Sequence, residues 1–331
     1  MHKILLSNGK AFTADEGETL LDASMRAGLS LPHSCRTGRC SACRTRVNAG
    51  QTMALHNETG LERHEREGGW ILGCVRTATS DVELDLEDLG DVRLRAARTL
   101  PCRVQSIERL ASDVLGVKLR LPPSADFEYL PGQYIDVIGA GSIRRSYSIA
   151  NAPAPEKCLE LHVREVDGGA MSAYWFGGAK VNDLLRLHGP LGTFVARDLV
   201  DLDLVFLATG TGIAPVKAMI EALAAGPSRA LPRSVAVYWG GRRPDDLYCK
   251  LEVVGLNLRF VPVLSRADAA WDGRRGHVQD ALLADAHDLS RTAVYACGSA
   301  IMIHDAQHRL AAAGLPPRRF SSDAFVCSAA V

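Results

Sequence analysis

The sequence has no surplus charge of either sign: Lys plus Arg number 38 and Asp plus Glu number 38 in 331 residues. That balance argues against nucleic acid or an anionic membrane as a partner, since both demand excess positive charge. No apolar run approaches the roughly 20 residues that span a bilayer. The opening MHKILLSNGK turns polar too early to read as a secretory signal. Internal repeats and low-complexity tracts are also lacking. Nine cysteines, an odd number with no signal before them, do not form a disulfide framework. They read as thiols of a reducing compartment, some of them metal ligands, and the expectation is a cytoplasmic protein. A hydrophobic content of 47% is ample for packed cores. The length suggests two or three domains at about 100–200 residues each.

Three segments differ in pattern. Residues 1–93 open with the short apolar runs KILL and AFTA. ETLLDASMRAGL follows, with Leu20, Ala23 and Ala27 at helical spacing and Gly28 as the stop. TRVNAG and DVELDLE alternate as strands do. RLRAARTL (93–100) is a basic connector, and Pro101 begins a new pattern. From 101 to 200, VQSIERL, LGVKLRL, GQYIDVIG and CLELHVREV are short strands separated by turn residues, which predicts an antiparallel barrel. From 203 to 331, apolar runs alternate with helical stretches: LDLVFLAT then APVKAMIEALAA, and AVYACGS then AIMIHDAQHRLAAAG. SVAVYWG and LRFVPVL are further strands. This alternation predicts a parallel sheet covered by helices.

The first segment contains CRTGRCSAC, residues 35–43. Thiolates are soft ligands that select zinc, copper(I) or iron–sulfur clusters. Cys35, Cys40, Cys43 and Cys74 reproduce the plant-type [2Fe–2S] spacing C-x4-C-x2-C…C. A structural zinc site more often shows two C-x2-C knuckles, and only Cys40 and Cys43 form one. Gly38 lets the loop wrap closely, with backbone N–H groups turned toward the sulfurs.

In the second segment, RRSYSIANAP (144–153) holds Arg145, Tyr147 and Ser148. An aromatic face stacks on a flavin ring, a hydroxyl hydrogen-bonds its edge, and a guanidinium grips phosphate. DGGAMS (167–172) places glycines before a helix, where free N–H groups suit an anion. In the third, ATGTGIAP (208–215) follows a strand and opens a helix, with Gly210 and Gly212 permitting close approach to a pyrophosphate. It is not the G-x-G-x-x-G fingerprint. YACGS (295–299) sets Cys297 and Gly298 at the end of another strand.

With these motifs in this order, the first segment resembles plant-type ferredoxin, a β-grasp fold, with Ser41 where many relatives have glycine. The remainder resembles the ferredoxin–NADP reductase superfamily. The whole resembles reductase components of Rieske oxygenase systems, and equally the CDP-6-deoxy-Δ3,4-glucoseen reductases; YLPGQYIDV, RRSYSIANAP, VYACGS and SDAFV fit the second style. The resemblance implies a [2Fe–2S] cluster, FAD and a nicotinamide cofactor. It implies that Arg145 binds the flavin phosphates, Tyr147 stacks on the ring, Ser148 bonds near N5, and Gly169 and Ser172 hold the pyrophosphate. Thr211, Gly212 and Cys297 would line the nicotinamide site; Asp323 and Phe325 would close over the flavin. Ser148, Cys297 and Asp323 are thus the candidate catalytic residues.

The expected order is NAD(P)H, flavin, cluster, then a partner, with NADH favoured over NADPH although Arg242 and Arg243 offer charge for a 2′-phosphate. The partner expected first is the terminal component of an aromatic ring-hydroxylating oxygenase, and second a CDP-sugar 3-dehydrase. A different class, a zinc module fused to a nucleotide-binding regulator, predicts a colourless protein. Arg36, Arg39 and Arg44 make the rim of the cysteine loop basic, which predicts an acidic partner surface.

Overall fold

The structure is a computed structural model that describes residues 1–226, 231–251 and 253–326. The chain divides into two compact units. One is Met1–Leu94 together with Gly192–Phe194; the other is Arg95–Leu191 with the chain from Val195 on. The two predicted C-terminal segments therefore pack as a single unit containing two sheets. The short piece Gly192–Phe194 belongs with the first unit, where Thr193 Oγ1 accepts from His33 N–H at 2.7 Å and Thr193 N–H donates to the His33 carbonyl at 3.0 Å.

The first unit is built on a five-stranded sheet ordered β2-β1-β7-β3-β5. Its strands are β1 (His2–Leu6), β2 (Ala11–Ala14), β3 (Arg44–Ala49), β5 (Trp70–Leu72) and β7 (Val82–Leu84), while β4 (Thr52–Ala54) and β6 (Arg76–Ala78) form a separate ribbon. β1 runs parallel to β7, and the other pairs are antiparallel. Helix α1 (Leu20–Arg26) buries Leu20, Leu21 and Ala23; Thr19 caps it by accepting from Asp22 N–H. Gly28 stops it at φ +77°, a left-handed position that glycine adopts freely. A second helix, α2 (Arg63–Glu67), is a single turn not anticipated from the sequence.

The second unit begins with six antiparallel strands: β8 (Arg98–Ala111), β9 (Val114–Arg120), β10 (Tyr134–Ile138), β11 (Arg144–Ser148), β12 (Cys158–Arg164) and β13 (Leu184–Leu191). They are ordered β11-β10-β13-β8-β9-β12, and the bridge Ile149–Leu161 joins the two ends into a barrel. Val104, Val117, Leu119, Ile135, Val137, Leu161 and Leu187 fill the interior. β8 starts three residues before Pro101, inside the predicted connector; Pro101 pairs with Arg186 in the ladder. β13 was not predicted. Its Leu185 and Leu187 face inward, but exposed Leu184 and the Gly189–Pro190 step break the alternation. A short helix, α3 (Ala170–Ala173), runs into a π-helical turn, Tyr174–Gly178.

The rest is a six-stranded parallel sheet, ordered β17-β16-β15-β14-β18-β19. Its strands are β14 (Asp203–Thr209), β15 (Ser234–Gly241), β16 (Leu258–Leu264), β17 (Arg274–Arg275), β18 (Thr292–Ser299) and β19 (Phe320–Phe325). Helices α4 (Ile213–Ala225), α5 (Val278–Ala284) and α6 (Ala300–Ala312) pack on it. β14 lies between β15 and β18, so the order reverses there. The crevice at the carboxyl ends of β14 and β18 is the switch point at which such sheets take ligands. Among the described residues no helix is long and apolar enough to cross a membrane.

Gly50, after β3, has φ +89°, and a Cβ there would lie 2.0 Å from the Asp81 carbonyl oxygen. Gly50→Ala is expected to destabilise the first unit by more than about 1 kcal/mol. In a urea titration, visible absorption of the cluster should be lost at lower denaturant while release of flavin fluorescence stays at the wild-type midpoint. A shift of both together would contradict the division into two units.

Candidate functional site

The four cysteines of the first unit stand as two pairs. All four are free thiols; Cys35 shares a hydrogen bond with Cys40, and Cys43 with Cys74. Cys40, Cys43 and Cys74 are buried and Cys35 is half-buried. Among the described residues no three His, Cys, Asp or Glu side chains close on one point as a mononuclear site requires. Two thiol pairs suit two irons, each with two protein ligands, better than one tetrahedral zinc. Backbone N–H groups face the sulfurs: Cys35 N–H points to Cys40 Sγ at 3.3 Å and Thr37 N–H to Cys35 Sγ at 3.4 Å. Gly38 N–H serves Cys74. Within each pair the hydrogen bond from the other thiol favours one thiolate, so Cys35 and Cys74 titrate below the usual thiol range. Cys40 and Cys43, the donors, are pushed up by that same bond and by burial. Negatively charged sulfurs wrapped by N–H donors are what a cluster needs, so the donor set fits it.

The loop geometry explains its glycines. Gly38 has φ +73°, and a Cβ would stand 2.3 Å from the Asn57 carbonyl oxygen. Ser41 also adopts a left-handed φ of +60°, a conformation that glycine adopts more freely. Here the Ser41 hydroxyl donates to the Gly60 carbonyl. A support missed in the sequence is Glu58. Its buried carboxylate accepts from Leu72 N–H at 2.8 Å and takes a forked bond from Arg76, anchoring the 55–60 loop against the strand after Cys74. Nothing in the spacing of Glu58 and Arg76 signalled the pair. The basic rim is weaker than expected: Arg44 lies 3.7 Å over the Trp70 ring and pairs with Glu65 at 2.8 Å, and Arg36 pairs with Asp22.

In the barrel, Arg145 and Tyr147 share one face of β11, two residues apart, and Ser148 is buried at its end. Trp175, in the helical turn that follows Gly169, donates its indole N–H to the Tyr147 hydroxyl at 3.2 Å. This contact joins the two motifs read separately in the sequence, though Trp175 itself was not singled out. Burial pushes the Tyr147 phenol up to about 12, against the Trp175 bond and the charge of Arg145. Ser172 Oγ accepts from Val166 N–H at 2.9 Å and so closes the glycine turn ahead of α3. A Cβ on Gly169 would sit 3.0 Å from the Val166 carbonyl oxygen. A half-buried aromatic beside a hydroxyl, with a guanidinium on the same strand, fits an isoalloxazine and its phosphate arm.

At the switch point three backbone stretches nearly touch. A Cβ on Gly212 would lie 2.3 Å from the Cys297 carbonyl oxygen, and one on Gly298, at φ +127°, 2.3 Å from Thr209 Oγ1. Thr209 Oγ1 in turn accepts from Ser299 N–H at 2.9 Å. Only glycine fits, so the turn presents bare backbone, as a nucleotide site requires. Thr211 is buried there. Cys297 is wholly buried and burial holds its thiol well above the usual range, so its backbone rather than its sulfur borders the crevice. Asp323 pairs with Cys297 across β18–β19 and is also buried. Phe325 lies opposite Ser299 with 39% of its surface exposed, as a cover over a bound ring would be.

Models of three families match the chain: a 2Fe-2S iron-sulfur cluster binding domain over residues 5–79, an oxidoreductase FAD-binding domain over 101–195, and an oxidoreductase NAD-binding domain over 206–308. The protein is an NAD(P)H-dependent oxidoreductase with FAD and a [2Fe–2S] cluster. The CDP-6-deoxy-L-threo-D-glycero-4-hexulose-3-dehydrase reductase of Yersinia pestis is 41% identical over 325 residues, 97% of each chain. Reductase component 2 of terephthalate 1,2-dioxygenase from Comamonas is 30% identical over 95% of this chain and 94% of that one. The crystal structure of the Amycolatopsis cytochrome P450 reductase GcoB superposes with a TM-score of 0.71 at 31% identity, covering 98% of this chain and 99% of that one. The chain belongs to the family of iron–sulfur flavoprotein reductases that these proteins represent, which carry electrons from NAD(P)H to a partner.

Replacing Cys40 by serine removes one soft ligand and should abolish the cluster's visible bands while flavin absorbance remains. NADH-driven reduction of ferricyanide should persist and cytochrome c reduction should fall. Loss of both activities with flavin retained would show that the assumed order of carriers is wrong. Tyr147→Ala should weaken FAD retention by about 1–3 kcal/mol, the scale of a buried aromatic contact. Equilibrium dialysis against free FAD measures it, and wild-type affinity would remove Tyr147 from the flavin site.

Proposed function

We propose that the protein supplies electrons to a CDP-sugar 3-dehydrase in deoxysugar formation, the second of the two acceptors expected from the sequence. The observation that carries this reading is the 41% identity, spanning 97% of both chains, to the Yersinia dehydrase reductase, against 30% to the terephthalate dioxygenase component. Both acceptor classes take electrons singly from a cluster.

The residue roles in the proposal follow the positions described above. Cys35 and Cys40 would hold one iron, and Cys43 and Cys74 the other. Arg145, Gly169 and Ser172 would receive the flavin phosphates, with Tyr147 against the ring and Ser148 at its reacting edge. Thr211, Gly212 and the Cys297–Gly298 backbone would cradle the nicotinamide, with Asp323 and Phe325 behind and above. Bound in the flavin site, FAD would supply a carrier able to exchange electrons both in pairs, as hydride, and singly. The protein's own part is to align two rings, keep water from between them, and hold the cluster under a thin loop. NADH is the preferred donor in this reading. Asp246 accepts from the N–H groups of Arg242 and Arg243 at 2.7 and 3.0 Å and puts a carboxylate in the loop after β15, which opposes a 2′-phosphate.

A coupled assay tests the acceptor. Purified reductase is mixed with NADH and either a CDP-6-deoxy-hexulose 3-dehydrase charged with its substrate or a terephthalate dioxygenase component. Deoxysugar product should form at least tenfold faster than dihydrodiol. Faster turnover with the oxygenase would reverse the assignment. The same assay with NADPH should give a lower kcat/KM than with NADH.

A further inference from the structure

Between the barrel and the parallel sheet, inside the second unit, lies a network of buried and half-buried charges that none of the cofactor roles uses. Its centre is Lys217, in the second turn of α4. The ammonium donates to the Ala150 carbonyl at 3.0 Å, to Glu160 Oε2 at 3.3 Å and to Glu221 Oε1 at 2.7 Å. Three N–H donors thus meet three acceptors, and the group is fully satisfied. Glu221 uses its other oxygen to accept from Ala152 N–H at 2.9 Å. Glu160 uses its other oxygen on His162 Nε2 at 3.0 Å.

The connectivity matters more than the count. α4 grows directly out of the Gly210–Gly212 turn. Ala150 and Ala152 follow Ser148 by two and four residues on the chain that carries Arg145 and Tyr147. One ammonium and one carboxylate, a single helical turn apart, therefore grip the backbone just beyond the flavin strand. They do so from the helix that begins at the nicotinamide turn. A helix is stiff over this distance, so the clamp fixes the turn relative to the strand.

A second route joins the same parts. Glu160, His162 and Arg164 alternate along β12 and so face one way. His162 Nδ1 lies 3.2 Å from the Tyr248 hydroxyl. Tyr248 meets Trp239 edge-on at 5.2 Å, and the Trp239 indole donates to the Gly210 carbonyl at 2.9 Å. Arg164 stands against Gly210 itself, where a Cβ would come within 2.5 Å of its guanidinium. β12 of the barrel thus reaches the turn through Arg164 and the His162–Tyr248–Trp239 chain, and α4 continues the turn directly.

We propose that Lys217 is a positioning residue for hydride transfer: by tying α4 to the Ala150–Ala152 backbone, it sets the separation of the nicotinamide and flavin rings. The inference rests on the reductase reading of the two sites. Hydride transfer tolerates little error in that separation, and a displacement of about 1 Å costs on the order of a hundredfold. Removing a clamp at the boundary should therefore slow the transfer without emptying either site.

The test uses the holoenzyme of wild type, Lys217→Met and Lys217→Arg, mixed anaerobically with NADH in a stopped-flow spectrometer. Lys217→Met keeps the apolar stem and removes the charge. The limiting rate of flavin bleaching should fall about ten- to a hundredfold, with half-saturation by NADH within about twofold of wild type. Lys217→Arg, which keeps three or more donors, should recover most of the rate. Electron passage from photochemically reduced flavin to the cluster should be unchanged in all three. A wild-type limiting rate in Lys217→Met would overturn the positioning role. So would a rise in half-saturation alone, because the residue would then act on NADH binding. If Lys217→Met does not retain flavin, Glu221→Gln carries the test: it removes one acceptor of the clamp and should slow bleaching in the same direction, and an unchanged rate would count against the proposal. Failure of the wild type itself to bleach with NADH would remove the reductase reading instead.

Discussion

Electrons leave a nicotinamide in pairs and enter a [2Fe–2S] cluster singly, and the organisation of this chain follows from that mismatch. A carrier able to do both must stand between them, so three sites are needed and their order is fixed. Neither end requires acid–base chemistry on a substrate. The protein's task is geometric: a stacked pair of rings at one place, and a thinly covered cluster at another. The folds match these tasks. A doubly wound sheet supplies a crevice at its switch point, a barrel supplies a strand with an aromatic and a hydroxyl at its mouth, and a small sheet supplies a loop with three sulfurs and a turn after β5 with the fourth.

Close backbone approach is the physical device common to the switch point and the cysteine loop. At the switch point, Gly212 and Gly298 allow the β14 turn to lie against the end of β18, where side chains at either position would collide with Cys297 or Thr209. In the cysteine loop, Gly38 abuts Asn57 and Gly60 abuts Arg39 and Ser41. There the Gly38 N–H serves Cys74, and the Gly60 N–H holds the Gly38 carbonyl at 2.9 Å. Ser41 departs from this rule and adopts the left-handed conformation anyway, with its hydroxyl bonded to Gly60 as partial compensation.

What the sequence made legible was local. Cysteine spacing, the R-x-Y-S strand and the glycine turn after LVFL are contiguous motifs, and strand–helix alternation marked the parallel sheet. What it hid depends on residues far apart. Glu58 and Arg76 meet across 18 residues, and Trp175 reaches Tyr147 across 28. Lys217 meets Ala150 across 67 and Glu160 across 57. No single-chain pattern announces such pairs. Short edge elements were missed for a different reason: β17 has two residues, too few to show periodicity. β19 was seen as the motif SDAFV but not as a strand, because FSSDAF lacks apolar alternation and is held by pairing with β18. The arginines of the cysteine loop read as a basic rim from sequence, and the fold spends two of them on Trp70, Glu65 and Asp22.

The division of labour within the family then becomes physical. The parts that handle cofactors rest on backbone geometry and thiolate pairing, which leave little freedom. The central claim is the order of carriers, and rapid freeze-quenching of the anaerobic holoenzyme after mixing with one equivalent of NADH tests it most directly. Optical and paramagnetic spectra of the same samples follow flavin and cluster separately. The account predicts that flavin bleaching comes first and that the reduced-cluster signal grows only afterwards, and not at all in protein stripped of flavin. A reduced cluster formed by NADH ahead of the flavin, or without it, would contradict the account.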